Sequence, residues 1–188
     1  MPDQFVLKAN HGCGYNYIVT DKSQMDISDA IKNLHRWLLE DYSSKTLEMQ
    51  YHDIPRRLIA EKYLDNQDSY EYKIWCFNGR VEYFRVMSDS NHIHQGDFYD
   101  REWNRMSFNC NFSNLEEKAP KPDNLNEMIL VSEKLAEGFS HVRVDLYRMT
   151  DGKLYFSEMT FTPASGMNKW DPPETDLMLG QLFSYPGI

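Results

Sequence analysis

The sequence VRVDLY occupies residues 142–147, and LYFSEMTF follows at residues 154–161 after the turn sequence TDG. Both runs are rich in β-branched and aromatic residues, and the turn between them contains glycine, so together they predict a β-hairpin. A half-buried strand alternates apolar and polar side chains. Here the polar places are taken by charged residues, which include Arg143, Asp145 and Glu158. We therefore expect this hairpin to be part of an antiparallel sheet and to carry chemistry.

The charged residues of the hairpin are spaced to share a face. Side chains alternate between the two faces of a strand, so Arg143 and Asp145 lie on one side, and Glu158 and Thr160 lie on one side of the partner strand. Two carboxylates on adjacent strands repel each other unless a cation lies between them, and their oxygens are the ligands that Mg2+ prefers. The alternative is a solvent-facing strand edge with a cross-strand arginine-carboxylate pair. From the hairpin alone, both interpretations remain open.

Further strands are predicted on the N-terminal side of this hairpin. A glycine loop lies between two short apolar runs near the N-terminus, and Asn78-Gly79, the strongest short hairpin signal, lies between two longer runs. Short turns of this kind join antiparallel strands. The predicted strands lie at residues 5–7, 17–19, 58–64, 72–77 and 81–86.

Two helices are predicted from apolar residues at spacings of three and four. The first covers residues 27–42, and the second begins after Asn124, which with Glu127 has the spacing of a capping box, and ends at Gly138. The polar stretch at residues 92–122 has no sustained period and predicts a long irregular connection that could cover a site. Antiparallel strands with separate helices define the predicted fold class, α+β.

Composition excludes several classes of protein. The chain has 188 residues, of which 41% are hydrophobic and 26% charged, as in a folded globular domain. Its 29 acidic and 20 basic residues give a net charge of -9, which leaves no broad basic surface for nucleic acid. The sequence contains neither an apolar run of about 18 residues nor a secretory signal, so we expect a cytoplasmic protein. Its three cysteines are expected to be free thiols.

A lysine precedes a glycine loop near the N-terminus. Lys8 ends an apolar run, and His11, Gly12 and Gly14 follow within a turn sequence. Glycines let backbone N–H groups approach phosphate oxygens, and a lysine ammonium supplies a point charge. The pattern is neither a Walker A motif nor GxGxxG, so a glycine turn beside a surface lysine is the alternative.

A second set of possible nucleotide contacts lies around residues 61–71. Residues 61–64 (EKYL) end a predicted strand, and a strand end leaves backbone groups that can hydrogen bond to an adenine edge. Glu71, which follows the polar loop at residues 65–69, could accept both hydroxyl groups of a ribose. The alternative is a charged edge strand followed by a loop.

Taken in order, these segments resemble the ATP-grasp superfamily of carboxylate-amine ligases. The resemblance is in particular to the TupA-like ATP-grasp family, which is associated with teichuronopeptide and surface-polysaccharide biosynthesis. It extends over nearly the whole chain. The segments that carry it are FVLKANHG at residues 5–12, YKIWCFNG at 72–79, VRVDLY at 142–147 and EMTFTP at 158–163.

The resemblance implies an ATP-grasp fold, in which two α+β subdomains with antiparallel sheets enclose the nucleotide. Residues 1–62 would form the subdomain with the phosphate lysine and glycine loop, and residues 63–188 the subdomain with the carboxylate hairpin. These ligases usually have an additional N-terminal domain, whereas this chain begins at the phosphate-lysine strand. We therefore expect the pre-ATP-grasp domain to be absent and the chain to be truncated.

The resemblance also implies roles for single residues. The expected nucleotide contacts, which bind phosphate, adenine or ribose, are Lys8, His11, Gly12, Gly14, Glu61, Lys62, Tyr63, Leu64 and Glu71. The expected catalytic cations, which neutralise a transferring phosphate or a substrate carboxylate, are Lys73, Arg85 and Arg143. The expected magnesium ligands are Asp145, Glu158 and Thr160. Typical ligases have asparagine at this last position, and a threonine hydroxyl is a poorer metal ligand.

In the chemistry of the superfamily, a substrate carboxylate attacks the γ-phosphate of ATP, and an amine captures the acylphosphate as an amide. The implied partners are ATP, Mg2+, and carboxylate and amine substrates that are small molecules or polysaccharide-linked. Two alternatives are a non-catalytic nucleotide-binding module and a glycosyltransferase of polysaccharide biosynthesis, although the sequence lacks the Asp-x-Asp motif expected of the latter. A third is a metal site at residues 92–94 (HIH), but paired histidines in a polar loop are more often solvated.

Overall fold

The structure is a computed structural model that describes residues 2–64, 67–88 and 94–184, with the backbone alone for residues 67–69. The chain divides into two compact units, Met1–Asp65 and Asn66–Ile188. Antiparallel strands and helices occur in both units, which confirms the predicted α+β class. In the described parts of the chain, no helix is long and apolar enough to cross a membrane.

The first unit is built on a three-stranded sheet with the order β2-β1-β3, in which both pairs are antiparallel. The strands are β1, Phe5–Ala9; β2, Asn16–Val19; and β3, Leu58–Lys62. Phe5 and Ala9, at the two ends of the central strand, are buried. All five residues of β3 are exposed, as expected for a strand at the edge of a sheet.

Two helices follow the second strand of this unit. Helix α1 covers Ile27–Leu39 and α2 covers Tyr42–Thr46. Each begins at an aspartate, Asp26 or Asp41, whose carboxylate accepts a backbone N–H of the first turn. Aspartate is a preferred N-cap because it satisfies N–H groups that have no partner within the helix. The single helix predicted for residues 27–42 is wrong in its last turn, because the second aspartate begins a new helix.

The second unit is built on a five-stranded antiparallel sheet with the order β6-β5-β4-β8-β9. The strands are β4, Gln67–Phe77; β5, Arg80–Ser88; β6, Gln95–Asp100; β8, His141–Met149; and β9, Leu154–Thr160. The remaining elements are the paired strands β7, Asn109–Cys110, and β10, Trp170–Asp171, with the helices α3, Leu125–Ala136, and α4, Glu174–Gly180.

The central strand β4 separates an apolar face of this sheet from a charged one. Tyr72, Ile74 and Cys76 are almost completely buried in a cluster that also contains residues of α3. Glu71 and Lys73 alternate with them and therefore point to the opposite face. Helix α3 covers one side of the sheet, and the other side presents the charged residues.

Both hairpins predicted in this sheet are present. At the turn between β4 and β5, Asn78 and Gly79 have φ values of 51° and 78°. Two consecutive left-handed residues are what a type I′ turn requires, and Asn-Gly is its preferred sequence. Gly152, in the turn between β8 and β9, has a φ of 85°.

The irregular connection predicted for residues 92–122 is wrong in part, because it contains β6 and β7. Asp97, within β6, is fully buried, and its carboxylate accepts hydrogen bonds from Arg105 at 2.8 Å and Asn114 at 2.7 Å. A buried carboxylate requires such partners, but in the sequence it interrupts the apolar alternation of a strand. The proposed histidine metal site includes residues 92–93, which lie outside the described residues.

Helix α3 begins after Asn124, as predicted, but its cap differs from the prediction. Asn124 makes no capping hydrogen bond with its side chain. Instead its Nδ2 donates to the Gly152 carbonyl at 2.7 Å, and its Oδ1 accepts from Arg148 at 2.9 Å. The capping-box prediction is therefore wrong, because this side chain connects the helix to the β8–β9 hairpin. The polar loop predicted at residues 65–69 is wrong in its last three residues, which belong to β4, and its first two residues lie outside the described part of the chain.

Candidate functional site

Four charged side chains form one row across the sheet of the second unit, and we call them the charged row. Lys73 on β4 lies opposite both Arg85 on β5 and Asp145 on β8, and Asp145 lies opposite Glu158 on β9. Residues directly opposite each other in antiparallel strands have side chains on the same face. The charged row therefore lies on the face that α3 does not cover.

Arg143 lies on the same face and connects the two carboxylates of the row. Its Nε and Nη2 donate to the two oxygens of Asp145 at 2.7 and 2.6 Å. The same Nη2 is 3.2 Å from Glu158 Oε1 and 3.0 Å from Thr160 Oγ1. Bidentate contacts between a guanidinium and a carboxylate are among the stronger hydrogen bonds in proteins. The structure thus brings together Arg143 and the three predicted magnesium ligands.

Lys73 connects this cluster to Glu71. Its Nζ lies 2.8 Å from Glu71 Oε1 and 3.4 Å from Asp145 Oδ2. Glu71, which is expected to contact the ribose, and Lys73, which is expected to neutralise the transferring phosphate, are therefore ion-paired with each other. Because the lysine bridges two acids, replacing either acid changes its surroundings.

Burial affects the charges of this cluster. The side chain of Asp145 is 2% exposed and that of Glu158 is 37% exposed. Burial, and then the charge of Asp145, raises the pKa of Glu158. Burial opposes the charge on Arg143, but the attraction of Asp145 and Glu158 outweighs it, so the pKa of Arg143 is raised. The guanidinium thus stays charged, while the outer carboxylate is easier to protonate than an ordinary glutamate.

Arg85, at the other end of the charged row, is buried and forms no ion pair with an acid among the described residues, although the charge of Glu71 acts on it from a longer distance. Its Nη2 donates to the Cys110 carbonyl at 2.7 Å, and its Nε has no hydrogen-bond partner. Its guanidinium lies over the rings of Phe98 and Phe112, at 5.4 and 5.2 Å. Burial lowers the pKa of Arg85. A buried cation without a carboxylate is suited to bind an anion.

The hairpin offers oxygen ligands of the kind that Mg2+ binds. Nucleotide sites hold Mg2+ with one or two carboxylates together with phosphate oxygens and water. Asp145 and Glu158 meet this requirement, and Thr160 adds a hydroxyl 3.3 Å from Glu158 Oε1. No group of three or more His, Cys, Asp or Glu side chains forms a metal site by itself in the described ranges. The residues therefore fit an ion that phosphate helps to hold.

The pairing of β8 with β9 shifts within the hairpin. Leu146 pairs with Phe156, whereas its neighbour Asp145 pairs with Glu158. Ser157 lies between the paired residues of β9 and forms a β-bulge. Bulges frequently occur beside active sites, where they redirect a side chain.

The first unit contains the predicted nucleotide residues near the N-terminus. Lys8 lies on β1 and forms an ion pair of 2.5 Å with Glu61 on β3. Lys62 is the last residue of β3, and Tyr63 and Leu64 follow its end. Lys8, which is expected to bind phosphate, thus forms an ion pair with the strand that is expected to contact the adenine.

The glycine loop contains a buried histidine. His11 is 2% exposed, and its Nε2 lies 2.8 Å from the carbonyl oxygen of Trp37. Because a carbonyl only accepts hydrogen bonds, this nitrogen donates. The side chain is therefore hydrogen-bonded to α1. A phosphate contact from His11 would therefore come from its backbone. Gly14 has a φ of 75° and has open space where a Cβ would be.

Gly12 is required by packing. A Cβ at this position would lie 2.6 Å from a ring carbon of Tyr15 and 2.8 Å from ring carbons of Tyr42. Real Cβ atoms do not approach other carbons this closely. The two tyrosine rings, at 5.6 Å between centroids, close over the loop and hold it against the unit's core.

An aromatic cavity beside Arg143 was missed by the sequence analysis. It has a volume of about 340 Å3. Trp75 lies directly opposite Arg143 in the β4–β8 pair, so the alternation of side chains could have placed it on this face. Other walls come from residues far along the chain, which no local pattern connects. We call this cavity the aromatic cavity, because rings line it. These rings belong to Trp75, Phe77, His141, Phe161, Trp170 and Phe183.

Comparison with known proteins identifies a family. Four solved chains match, including a D-alanine--D-alanine ligase from Bacillus anthracis with 20% sequence identity, a TM-score of 0.44, and coverage of 94% of this chain and 49% of that one. The chain thus spans about half the length of that ligase. No curated protein matches the sequence. The profile described as TupA-like ATPgrasp matches residues 1–184, and because this is nearly the whole chain, the protein belongs to the TupA-like ATP-grasp family.

Proposed function

We propose that the protein is an ATP- and Mg2+-dependent ligase that joins a carboxylate to an amine through an acylphosphate. Its membership of the TupA-like ATP-grasp family supports this reaction class. The proposal rests mainly on the charged row together with Arg143, since three cations and two carboxylates share one face of a sheet. Phosphoryl transfer requires mainly alignment and neutralisation of charge, and these residues supply both.

In this proposal the first unit supplies the lysine and the backbone groups that bind the nucleotide. Lys8 and the N–H groups of the glycine loop contact phosphate oxygens. Residues 61–64 contact the adenine edge, and Glu71 of the second unit contacts the ribose. The ion pair between Lys8 and Glu61 orients the lysine before ATP binds.

The second unit neutralises the reacting groups. Lys73, Arg85 and Arg143 bind the transferring phosphoryl group and the substrate carboxylate. Asp145 and Glu158, with Thr160 beside them, would hold Mg2+, which neutralises phosphate charge when bound. Arg85 suits the role of anion ligand because it is buried, forms no ion pair among the described residues and has an Nε without a hydrogen-bond partner there.

The reaction requires no nucleophilic side chain. The substrate carboxylate attacks the γ-phosphorus of ATP and releases ADP, and an amine then attacks the acylphosphate and releases phosphate. We assign this reaction to the biosynthesis of teichuronopeptide or another surface polysaccharide, the role associated with the family. We place it in the cytoplasm, where ATP is available and the three free cysteines stay reduced.

Trapping the acylphosphate tests the reaction class. The protein is incubated with ATP, Mg2+, hydroxylamine and each member of a panel of amino acids and uronic acids, and both hydroxamate and ADP are measured. We expect hydroxamate with at least one carboxylate and none without ATP. ATP binding without ADP release for any acid would instead indicate a non-catalytic nucleotide-binding module.

A matched pair of variants tests the metal assignment. Glu158→Gln removes a negative charge from the proposed magnesium site and should lower hydroxamate formation by about a hundredfold or more. Glu137→Gln is the control, because the side chain of Glu137 is 74% exposed beyond the end of α3. Equal loss in both variants, or no loss in the first, would refute the metal assignment.

A further inference from the structure

The aromatic cavity adjoins the reacting groups of the proposed ligase. Trp75 pairs with Arg143 across β4 and β8, and His141 precedes Arg143 by two residues on the same strand face. Every described residue that lines the aromatic cavity belongs to the second unit. Two of its wall residues, Trp75 and His141, are therefore strand neighbours of the arginine that contacts both carboxylates.

Two nitrogen atoms of the cavity walls have no hydrogen-bond partner among the described residues. Trp75 is 6% exposed, and its indole Nε1 is buried and unpartnered. In His141, Nδ1 lies 2.9 Å from the carbonyl oxygen of Cys76. Because a carbonyl only accepts, Nδ1 carries the proton, and Nε2 of a neutral ring is left as an acceptor. The cavity thus offers one basic nitrogen, His141 Nε2, whereas the Trp75 indole nitrogen is buried behind the cavity wall.

The rings around His141 favour its neutral form. Its centroid lies 4.5 Å from that of Phe77, 5.2 Å from Phe183 and 5.4 Å from Trp75. Burial, and then the nearby charge of Arg143, lowers the pKa of His141. A neutral imidazole can accept a hydrogen bond from an amine, whereas an imidazolium cannot.

The chemistry of the walls selects a class of ligand. Aromatic rings bind ring-shaped or apolar bodies and attract cations over their faces. Asp176, an exposed residue, lines the cavity and adds negative charge to its wall. His141 Nε2 accepts a hydrogen bond and so favours a ligand with an N–H donor. A primary amine with an apolar or ring-shaped body meets all three requirements.

We propose that the aromatic cavity binds the amine substrate, with its body among the rings and its amino nitrogen donating to His141 Nε2. This assignment rests on the proposed ligase function. In the second half-reaction the neutral amine attacks the acyl carbon, a C–N bond forms, and the C–O bond to phosphate breaks. Phosphate leaves with the electron pair of that bond. The proton lost by the amine passes to His141 Nε2 and then to solvent.

Binding can be tested without activity by NMR of the indole N–H groups. The four tryptophans give four indole signals, and only Trp75 and Trp170 line the cavity. The 15N-labelled protein is titrated with phenylalaninamide, which has a ring, an amine and an amide carbonyl. We expect saturable shifts of Trp75 and Trp170, while Trp37 and Trp103 stay unchanged. Absence of shifts, or equal shifts of all four, would overturn the cavity site.

A neutral analogue tests the choice of an amine. 3-Phenylpropanamide keeps the ring and the amide but lacks the amino group that donates to His141 Nε2, so it should bind about tenfold more weakly, the equivalent of one lost hydrogen bond. Equal affinity of the two compounds would overturn the assignment of an amine as ligand.

Two replacements of His141 test its role in the amide-forming step. His141→Asn keeps an N–H near the position of Nδ1, and His141→Gln places an amide near Nε2, but neither supplies a base. With phenylalaninamide as the amine, the ratio of amide to hydroxamate should fall about a hundredfold in both variants, as for loss of a general base. His35→Asn, at an exposed position of α1, is the control.

The outcomes separate this inference from the proposed function. An unchanged ratio of amide to hydroxamate, even with both products reduced, would mean that His141 is structural and would overturn its assigned role. Absence of hydroxamate from the unmodified chain would overturn the ligase function and the identity of the ligand as its substrate. Unshifted indole signals would overturn the site alone.

Discussion

Asp145 and Glu158 lie directly opposite each other on β8 and β9, and Arg143 donates hydrogen bonds to both carboxylates. Two acids at this separation repel each other, and a cation between them relieves the repulsion. In this structure the cation is a guanidinium of the chain itself. If Asp145 and Glu158 hold Mg2+ as proposed, the metal ion would use the same oxygen atoms, and Arg143 would compete with it for these two acids.

Replacing this arginine should therefore make the protein depend on the metal ion for its stability. Arg143→Met leaves the buried carboxylate of Asp145 with Lys73 alone and should lower the free energy of unfolding by about 3 kcal/mol. Added Mg2+ should restore more stability to the variant than it adds to the unmodified chain, as measured by urea unfolding with and without the ion. Arg36→Met, on the surface of α1, is the control. Equal effects of Mg2+ on all three proteins would contradict the competition.

The lysine near the N-terminus is expected to contribute to nucleotide affinity. Lys8→Met removes the point charge next to the phosphates and should weaken ATP binding about tenfold, which is equivalent to one charge-assisted hydrogen bond. Isothermal titration calorimetry with ATP and Mg2+ measures the affinity. Lys32→Met, at an exposed position of α1, should bind ATP as the unmodified chain does. If both variants bind equally well, Lys8 is not a phosphate ligand.

His141 should make the stability of the protein depend on pH. Its pKa lies below the ordinary value of 6.5, because burial and the charge of Arg143 disfavour the protonated ring. The unfolded chain binds this proton at a higher pH than the folded chain does. The free energy of unfolding attributable to His141 is therefore present above pH 6.5 and is lost as the pH falls towards the folded pKa. The charge of Arg143 strengthens this effect, and the hydrogen bond from the ring to the Cys76 carbonyl opposes it.

Urea unfolding at a series of pH values measures this dependence. His141→Gln has no titrating group at this position, so its free energy of unfolding should decrease less on acidification than that of the unmodified chain. His35→Gln should follow the unmodified chain, because His35 is exposed. Parallel curves for the two variants would show that the buried histidine does not carry the effect.

Replacing Gly12 with a residue that has even the smallest side chain should destabilise the protein. Gly12→Ala forces a methyl group against the rings of Tyr15 and Tyr42 and should lower the free energy of unfolding by about 1–3 kcal/mol. Gly180→Ala is the matched control, since no atom lies within 4 Å of its ideal Cβ. Thermal or urea unfolding measures both variants. A tolerated alanine at position 12 would mean that the two tyrosine rings move easily.

Local patterns were sufficient to predict the hairpins and the charged face. Asn78-Gly79 specifies its own turn, and the alternation of apolar and charged side chains on β4 and β8 assigns each residue to a face. The pattern failed where stability depends on distant partners. Asp97 can be buried because Arg105 and Asn114 reach it, and their positions follow from the tertiary fold rather than from a local period.

In the candidate site, too, local patterns predicted some features and could not predict those that depend on distant segments. The sequence predicted that Asp145, Glu158 and Thr160 could share a face, and the structure places Arg143 in contact with all three. The aromatic cavity was not predictable, because its walls come from separate segments of the second unit that only the fold brings together. In the sequence, a single aromatic residue such as Trp75 cannot be distinguished from an ordinary core residue.

The β-bulge at Ser157 makes the length of the β9 strand as important as the identity of its acid. Counting back from the turn, uninterrupted pairing would place Ser157 opposite Asp145 and Glu158 opposite Val144, which is fully buried on the apolar face. Uninterrupted pairing of the full strand would therefore separate the two acids while changing neither of them. Deletion of Ser157 would instead remove the bulge and leave Glu158, as the residue after Phe156, opposite Asp145. In any relative of this chain, the number of residues between the turn and the glutamate, together with the presence or absence of a bulge, therefore decides whether a two-carboxylate site exists, and a match of residue types alone does not.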